Sequence, residues 1–109
     1  MKIAFITNFP NYPASFYYWN GLKYSENFVF YKNEMNLNDF DACLVMTYDH
    51  ELVAKIKQIN PNILIGIADP RNYKVANSAL LCDYLVCDSI EMEDYWRKVQ
   101  KPIFRYVEY

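Results

Sequence analysis

Ile63-Leu-Ile-Gly-Ile-Ala-Asp-Pro-Arg71 is the stretch on which the reading of the fold turns. Ile63 to Ile67 is apolar or small on both alternating faces, the pattern of a parallel strand covered by helices above and below. Pro70 has no N–H to give to a ladder and biases Asp69 toward an extended conformation, so the strand is expected to stop at this corner. A carboxylate and a guanidinium are then left at a carboxyl-terminal strand edge, where open α/β sheets bind their ligands.

Working outward, the segment before this strand is the clearest helix in the chain. Leu52, Val53, Ile56 and Ile59 fall on one apolar stripe, and Asn60-Pro61-Asn62 ends it. Further upstream, Asp41 to Met46 reads as a buried strand and Lys32 to Asp41 as a polar link with a single turn at most. Asn27 to Tyr31 is a strand by its aromatic and β-branched content. Ala14 to Leu22 is expected to be a helix, with Ser15 as a possible cap, and Lys2 to Thr7 is a central strand. Between them, Asn8 to Pro13 holds two prolines and two asparagines and reads as a loop.

Downstream, Asn72 can cap a short helix over Tyr73 to Leu81, followed by a strand at Tyr84 to Cys87. Asp88 and Glu91 have capping-box spacing before a helix whose expected buried stripe is Met92, Tyr95, Trp96 and Val99. Lys101-Pro102 ends it, and Ile103 to Val107 is the last strand. Strands alternating with helices imply right-handed crossovers in one parallel sheet of about six strands with helices on both faces. The short link between the second and third strands fits the order 2-1-3-4-5-6, a Rossmann-like or flavodoxin-like domain. Its topological switch point lies between strands one and three.

The chain has 109 residues, the size of one domain. A net charge of −2 gives no basic surface for nucleic acid, and no run reaches the ~18 apolar residues of a membrane span. Three cysteines without a CxxC pair read as buried thiols in a reduced cytoplasm. Neither a GxGxxG turn, a P-loop, a GxSxG elbow nor a His/Cys cluster of metal spacing is present, so neither cofactor nor metal ligands are expected within the chain.

The residues that could carry chemistry gather around the switch point. His50 follows the third strand and is either a base or polarising donor or a solvated first-turn residue. Asp69 is a general base, a group that positions a hydroxyl, or an Asx-type turn residue before Pro70. Arg71 is either a bidentate clamp for an anion or the partner of Asp69 or Asp88. Asp88-Ser89 at the end of the fifth strand is first a helix cap and second a ligand contact. Asn8, Tyr12 and Thr47 border the crevice, and the aromatic run from Phe9 to Tyr18 either stacks on a ligand ring or belongs to the core.

Three stretches together resemble the N-terminal Rossmann-like domain of retaining, group 1 GT-B glycosyltransferases: Lys2-Ile-Ala-Phe-Ile-Thr7 with its proline-containing loop, Ile63 to Asp69, and Cys82-Asp-Tyr-Leu-Val-Cys-Asp-Ser89 followed by a helix and Lys101-Pro-Ile-Phe-Arg-Tyr-Val107. The resemblance implies that residues 1–109 are an acceptor-side domain, inactive alone, and that the domain carrying the nucleotide-sugar donor lies outside this chain. It implies a sugar or glycolipid acceptor and a cytoplasmic location, with peripheral membrane attachment left open. His50 and Asp69 would then act on the acceptor hydroxyl, while Asn8, Tyr12, Thr47, Arg71 and Ser89 bind substrate. The chain departs from the family at two places. No glycine follows the first strand, and Ala68 stands where a histidine is common before Asp69. Rival readings are a free-standing flavodoxin-like or receiver-like module and a non-catalytic interaction domain. Against a receiver, the first strand ends in Thr7-Asn8 rather than in an acidic pair.

Overall fold

A computed structural model of the chain describes residues 1–8, 13–46, 50–68, 70 and 81–106, with Ala14, Phe16 and His50 described in their backbone only. The elements follow from the apolar patterning. Strand β1 is Ile3–Thr7, helix α1 Pro13–Leu22, β2 Phe28–Phe30, β3 Ala42–Met46, α2 His50–Ile59 and β4 Leu64–Ala68. After them come β5 at Tyr84–Cys87, α3 at Ile90–Trp96 and β6 at Ile103–Arg105. The link between β2 and β3 holds one 3-10 turn, Leu37–Asp39, whose first N–H groups are served by Asn36: its side chain accepts from the Asn38 N–H at 3.0 Å. The expected helix over residues 73–81 lies outside the described residues, save Leu81.

All six strands pair in parallel in the order β2-β1-β3-β4-β5-β6, as expected. The chain turns one way from β1 to β2 and the other way from β3 onward. Right-handed crossovers therefore put α1 on one face and α2 and α3 on the other. The packing agrees. Phe5, Leu44, Met46 and Ala68 meet Tyr18 and its neighbours on α1, whereas Ala4, Ile6, Val45, Ile65, Ile67 and Leu85 meet Val53, Ile56 and Trp96. Burying a side chain such as Ile56 fully is worth ~1.5–3 kcal/mol, so each face carries a large share of the stability. The radius of gyration, 12.9 Å, is that of a compact chain of this length, close to the ~13 Å expected for 100 residues. No described helix is long and apolar enough to cross a membrane.

Five local expectations need correction. The strand at 63–67 is shifted by one residue, to Leu64–Ala68, and its first member, Leu64, is 47% exposed. Ile59 is 52% exposed because Asn60 takes the inward slot of the last turn, four residues after Ile56. Tyr95 lies on the outer flank of α3, with the Lys98 ammonium 4.0 Å from its ring centroid, because Trp96 takes the inward direction. Ser89, not Asp88, caps α3: Ser89 is extended and its side chain accepts from the Met92 N–H at 3.2 Å. Ser15 is the third residue of α1 rather than its cap, and its hydroxyl is used in the interior.

Asn60 shows how a buried polar side chain joins the elements. Its Nδ2 donates to the carbonyls of Leu37 at 3.1 Å and Phe40 at 3.2 Å, while Oδ1 accepts from the Asn62 N–H. The side chain thus holds the β2–β3 link against the turn that enters β4. Asn60→Ala is expected to destabilise the domain by ~1–3 kcal/mol, the cost of taking the amide donor from the buried Phe40 carbonyl and from that of Leu37, which keeps the Phe40 N–H. Thermal unfolding followed by circular dichroism should show Tm lower by ~5–15 °C; a change below 1 °C would show that water replaces the amide at no cost.

Candidate functional site

The carboxyl edge of the sheet is where the strand order reverses. Thr7 ends β1 and Met46 ends β3, and the two are partners in the parallel register. Beyond this point the connections leave for opposite faces, α1 for one and α2 for the other. Such a divergence leaves the strand ends uncovered, which is why ligands of open α/β sheets bind there.

One hydroxyl pair occupies the junction. Thr7 Oγ1 and Ser15 Oγ are 2.9 Å apart, and Ser15 Oγ also lies 3.6 Å from Met46 Sδ as a weak donor contact. Ser15 is 2% exposed, so the first turn of α1 is seated on the ends of β1 and β3 by polar contacts within an otherwise apolar layer. Asn8 follows Thr7 and is exposed at the same edge. His50 opens α2, the element next after β3. Tyr12, Thr47, Asp69 and Arg71 lie outside the described residues, as does the side chain of His50. Ser89 stands at the end of the β5 connection, half-buried, with its oxygen accepting from the Met92 N–H. The backbone therefore brings Asn8 and the start of α2 to the reversal, with Ser89 farther along the same edge.

The Asp-Pro-Arg corner has an anchor that the sequence reading missed. Pro70 is fully buried, and its carbonyl accepts from Trp96 Nε1 at 2.6 Å. A tryptophan on the inward stripe of α3 can be read from periodicity, but its indole N–H needs a partner when buried. That need was the available signal. The two residues flanking Pro70 in the chain are Asp69 and Arg71, the carboxylate and guanidinium expected from the sequence to meet a ligand.

Elsewhere, two described ion pairs tie elements of the fold together. Arg105 on β6 pairs with Glu93 on α3, with Nη2 2.5 Å and Nε 3.2 Å from the carboxylate oxygens, a bidentate bond that lowers the acid's pKa and raises the base's. At the opposite, amino end, Lys57 Nζ donates to the Ile63 carbonyl at 2.7 Å and pairs with Asp83 at 3.1 Å, and Asp83 accepts from the Ile65 N–H at 2.9 Å. Lys101 Nζ closes the same edge on the Cys82 carbonyl. These bonds satisfy strand starts and are remote from the reversal.

Cys43, Cys82 and Cys87 are buried, as expected. Burial pushes the Cys43 thiol up to about 12 and the Cys82 thiol up to about 11, with only partial relief from Lys57 and Lys101 respectively. Both remain protonated at neutral pH and neither supplies a thiolate nucleophile. The aromatics of α1 that are described resolve toward the core: Tyr18 is 1% exposed, and Trp19 stacks on Phe5 at 5.9 Å. Among the described residues, no three His, Cys, Asp or Glu side chains are grouped to hold a metal ion. No protein-family model, curated protein or solved structure matches this chain.

Proposed function

We propose that this domain binds a small hydroxylated acceptor, a sugar or the sugar headgroup of a glycolipid, as the acceptor-side half of a sugar-nucleotide-dependent glycosyltransferase of the GT-B kind. The observation that carries the reading is the reversal of strand order between β1 and β3, with Thr7, Asn8 and the first turns of α1 and α2 around it. Hydroxyls and amides on rigid strand ends suit a neutral, polyhydroxylated ligand, because each ligand O–H needs both a donor and an acceptor within reach. In this reading His50 and Asp69 meet the acceptor hydroxyl, one as the base that draws its proton and the other as the group that orients it. Asn8, Tyr12, Thr47, Arg71 and Ser89 fix the remaining hydroxyls. The donor nucleotide sits on a second α/β domain, consistent with a first strand followed by no glycine that would let the backbone approach a phosphate.

A two-dimensional amide NMR titration tests this. Methyl glycosides of glucose, galactose, mannose and N-acetylglucosamine are added in turn, and then a uridine diphosphate sugar. At least one glycoside should shift the Thr7, Asn8 and Ser15 amides, and His50→Ala should weaken that binding by about two- to tenfold, the worth of one net hydrogen bond. Shifts produced by the nucleotide sugar alone, or by none of the sugars, would overturn the acceptor reading.

A further inference from the structure

We infer that Tyr106 is a latch that holds helix α1 on the sheet, and that α1 opens as a local unit when the latch is released. Tyr106 follows β6, and its N–H still bonds the Cys87 carbonyl at 2.8 Å. From this fixed base its side chain crosses to α1. The hydroxyl lies 3.0 Å from the carbonyl oxygen of Tyr17 and 3.2 Å from that of Tyr18, and its ring packs on those of Tyr18 and Tyr17 at centroid distances of 4.6 and 5.2 Å.

The seat for the hydroxyl is Gly21. In a helix the residue four places on covers the carbonyl it bonds, so a side chain at position 21 would screen the Tyr17 oxygen. A Cβ built on Gly21 would fall 2.9 Å from Tyr106 Cζ and closer still to the hydroxyl. Glycine here is the condition for the latch, although within a helix it costs ~0.5–1 kcal/mol relative to alanine.

Helix α1 depends on such contacts. Its first turn has no acidic residue and its last turn no basic one, so the residues of these two turns do not complement the macrodipole. With four aromatics and a glycine in ten residues its intrinsic propensity is low. What holds it is tertiary: the Trp19 contacts with Phe5 and Phe30, the Thr7–Ser15 pair at one end and Tyr106 near the other. Elements of this kind open well before the sheet does. Because Ser15 sits at the strand reversal, the latch also sets how firmly that edge is closed, whatever binds there.

Native-state hydrogen exchange by NMR tests the latch without any ligand. Tyr106→Phe keeps the ring and removes the hydroxyl, and the α1 amides from Trp19 to Leu22 should exchange about two- to tenfold faster while those of Val45, Ile65 and Ile67 do not change. Unchanged α1 rates, or equal acceleration of α1 and sheet, would overturn the inference. A second comparison uses helix propensity as the control. In a Tyr106→Ala background, Gly21→Ala should slow α1 exchange by about two- to fivefold, as alanine does in any helix. With Tyr106 present the same substitution must displace the ring and should bring no such gain. The same slowing in both backgrounds would show that ring and glycine are not coupled.

Discussion

Gly66→Ala is expected to cost the domain ~2–4 kcal/mol, and Gly66→Val more, although both replacements raise strand propensity. Gly66 lies in the middle of β4, and the ring of Tyr84 from the neighbouring strand lies flat against its backbone. A Cβ at position 66 would fall 2.6 Å from Tyr84 Cδ2 and closer to Cε2 and Cζ. The ring is not free to withdraw. Its hydroxyl crosses over β4 to donate to the Cys43 carbonyl on β3 at 2.7 Å, and Phe104 packs edge-on from β6 at 6.0 Å. Overpacking of this kind costs ~1–3 kcal/mol, and breaking the hydroxyl bond adds ~1 kcal/mol.

Urea unfolding monitored by circular dichroism measures the loss. A value below 0.5 kcal/mol for Gly66→Ala, within the ~0.5 kcal/mol of an ordinary surface change, would refute the seat. Coupling gives the sharper check. With Tyr84→Ala already in place, Gly66→Ala should cost little or even stabilise, so the double mutant should fall short of the sum by ~1–3 kcal/mol.

This pair shows which parts of the fold are open to sequence reasoning. Strands β1, β3 and β4 could be read because they are apolar on both faces, a property each strand displays by itself. The strand order followed from the brevity of the Lys32–Asp41 link, again a local fact. Helix α2 announced itself by period. What could not be read are contacts between residues distant in the chain. The sequence has two glycines, and each lies beneath a tyrosine, Gly66 under Tyr84 and Gly21 under Tyr106. Nothing near either glycine names its tyrosine.

The ends of elements were misread for a related reason. At Ile59 and Asn60, and at Asp88 and Ser89, two adjacent residues compete for one inward or capping slot. Tertiary partners decide: the Leu37 and Phe40 carbonyls draw in Asn60. At the carboxyl edge, Asn8 and His50 were placed by strand order alone. The Thr7–Ser15 pair was missed because neither residue carries a charge or a motif.

The largest single loss of stability is expected from Trp96→Ala, ~3–5 kcal/mol by the deletion of a fully buried indole. Trp96 is 1% exposed and is the largest of the fully buried side chains, so its removal leaves a cavity beneath β4 and β5. A domain of ordinary stability, ~5–15 kcal/mol, keeps little margin after that, and Tm should fall by ~12–30 °C. Trp96→Phe separates packing from the hydrogen bond. Phenylalanine keeps most of the apolar contact but leaves the buried Pro70 carbonyl, now held by Nε1 at 2.6 Å, without its donor. The cost should be ~1–3 kcal/mol, and it falls on the corner between β4 and the residues after it.

The two variants therefore differ in kind as well as in size. If Asp69 and Arg71 meet an acceptor, Trp96→Phe should weaken glycoside binding under conditions where the domain remains fully folded, because the carbonyl between them has lost its tether. The affinity change should be about two- to tenfold, the scale of one displaced polar contact. Amide NMR reports both quantities on one sample, with sheet dispersion showing that the fold persists and glycoside titration giving the affinity. Binding unchanged in a folded Trp96→Phe protein would confine Trp96 to stability and would move the acceptor site wholly to the strand reversal at Thr7, Asn8 and Ser15.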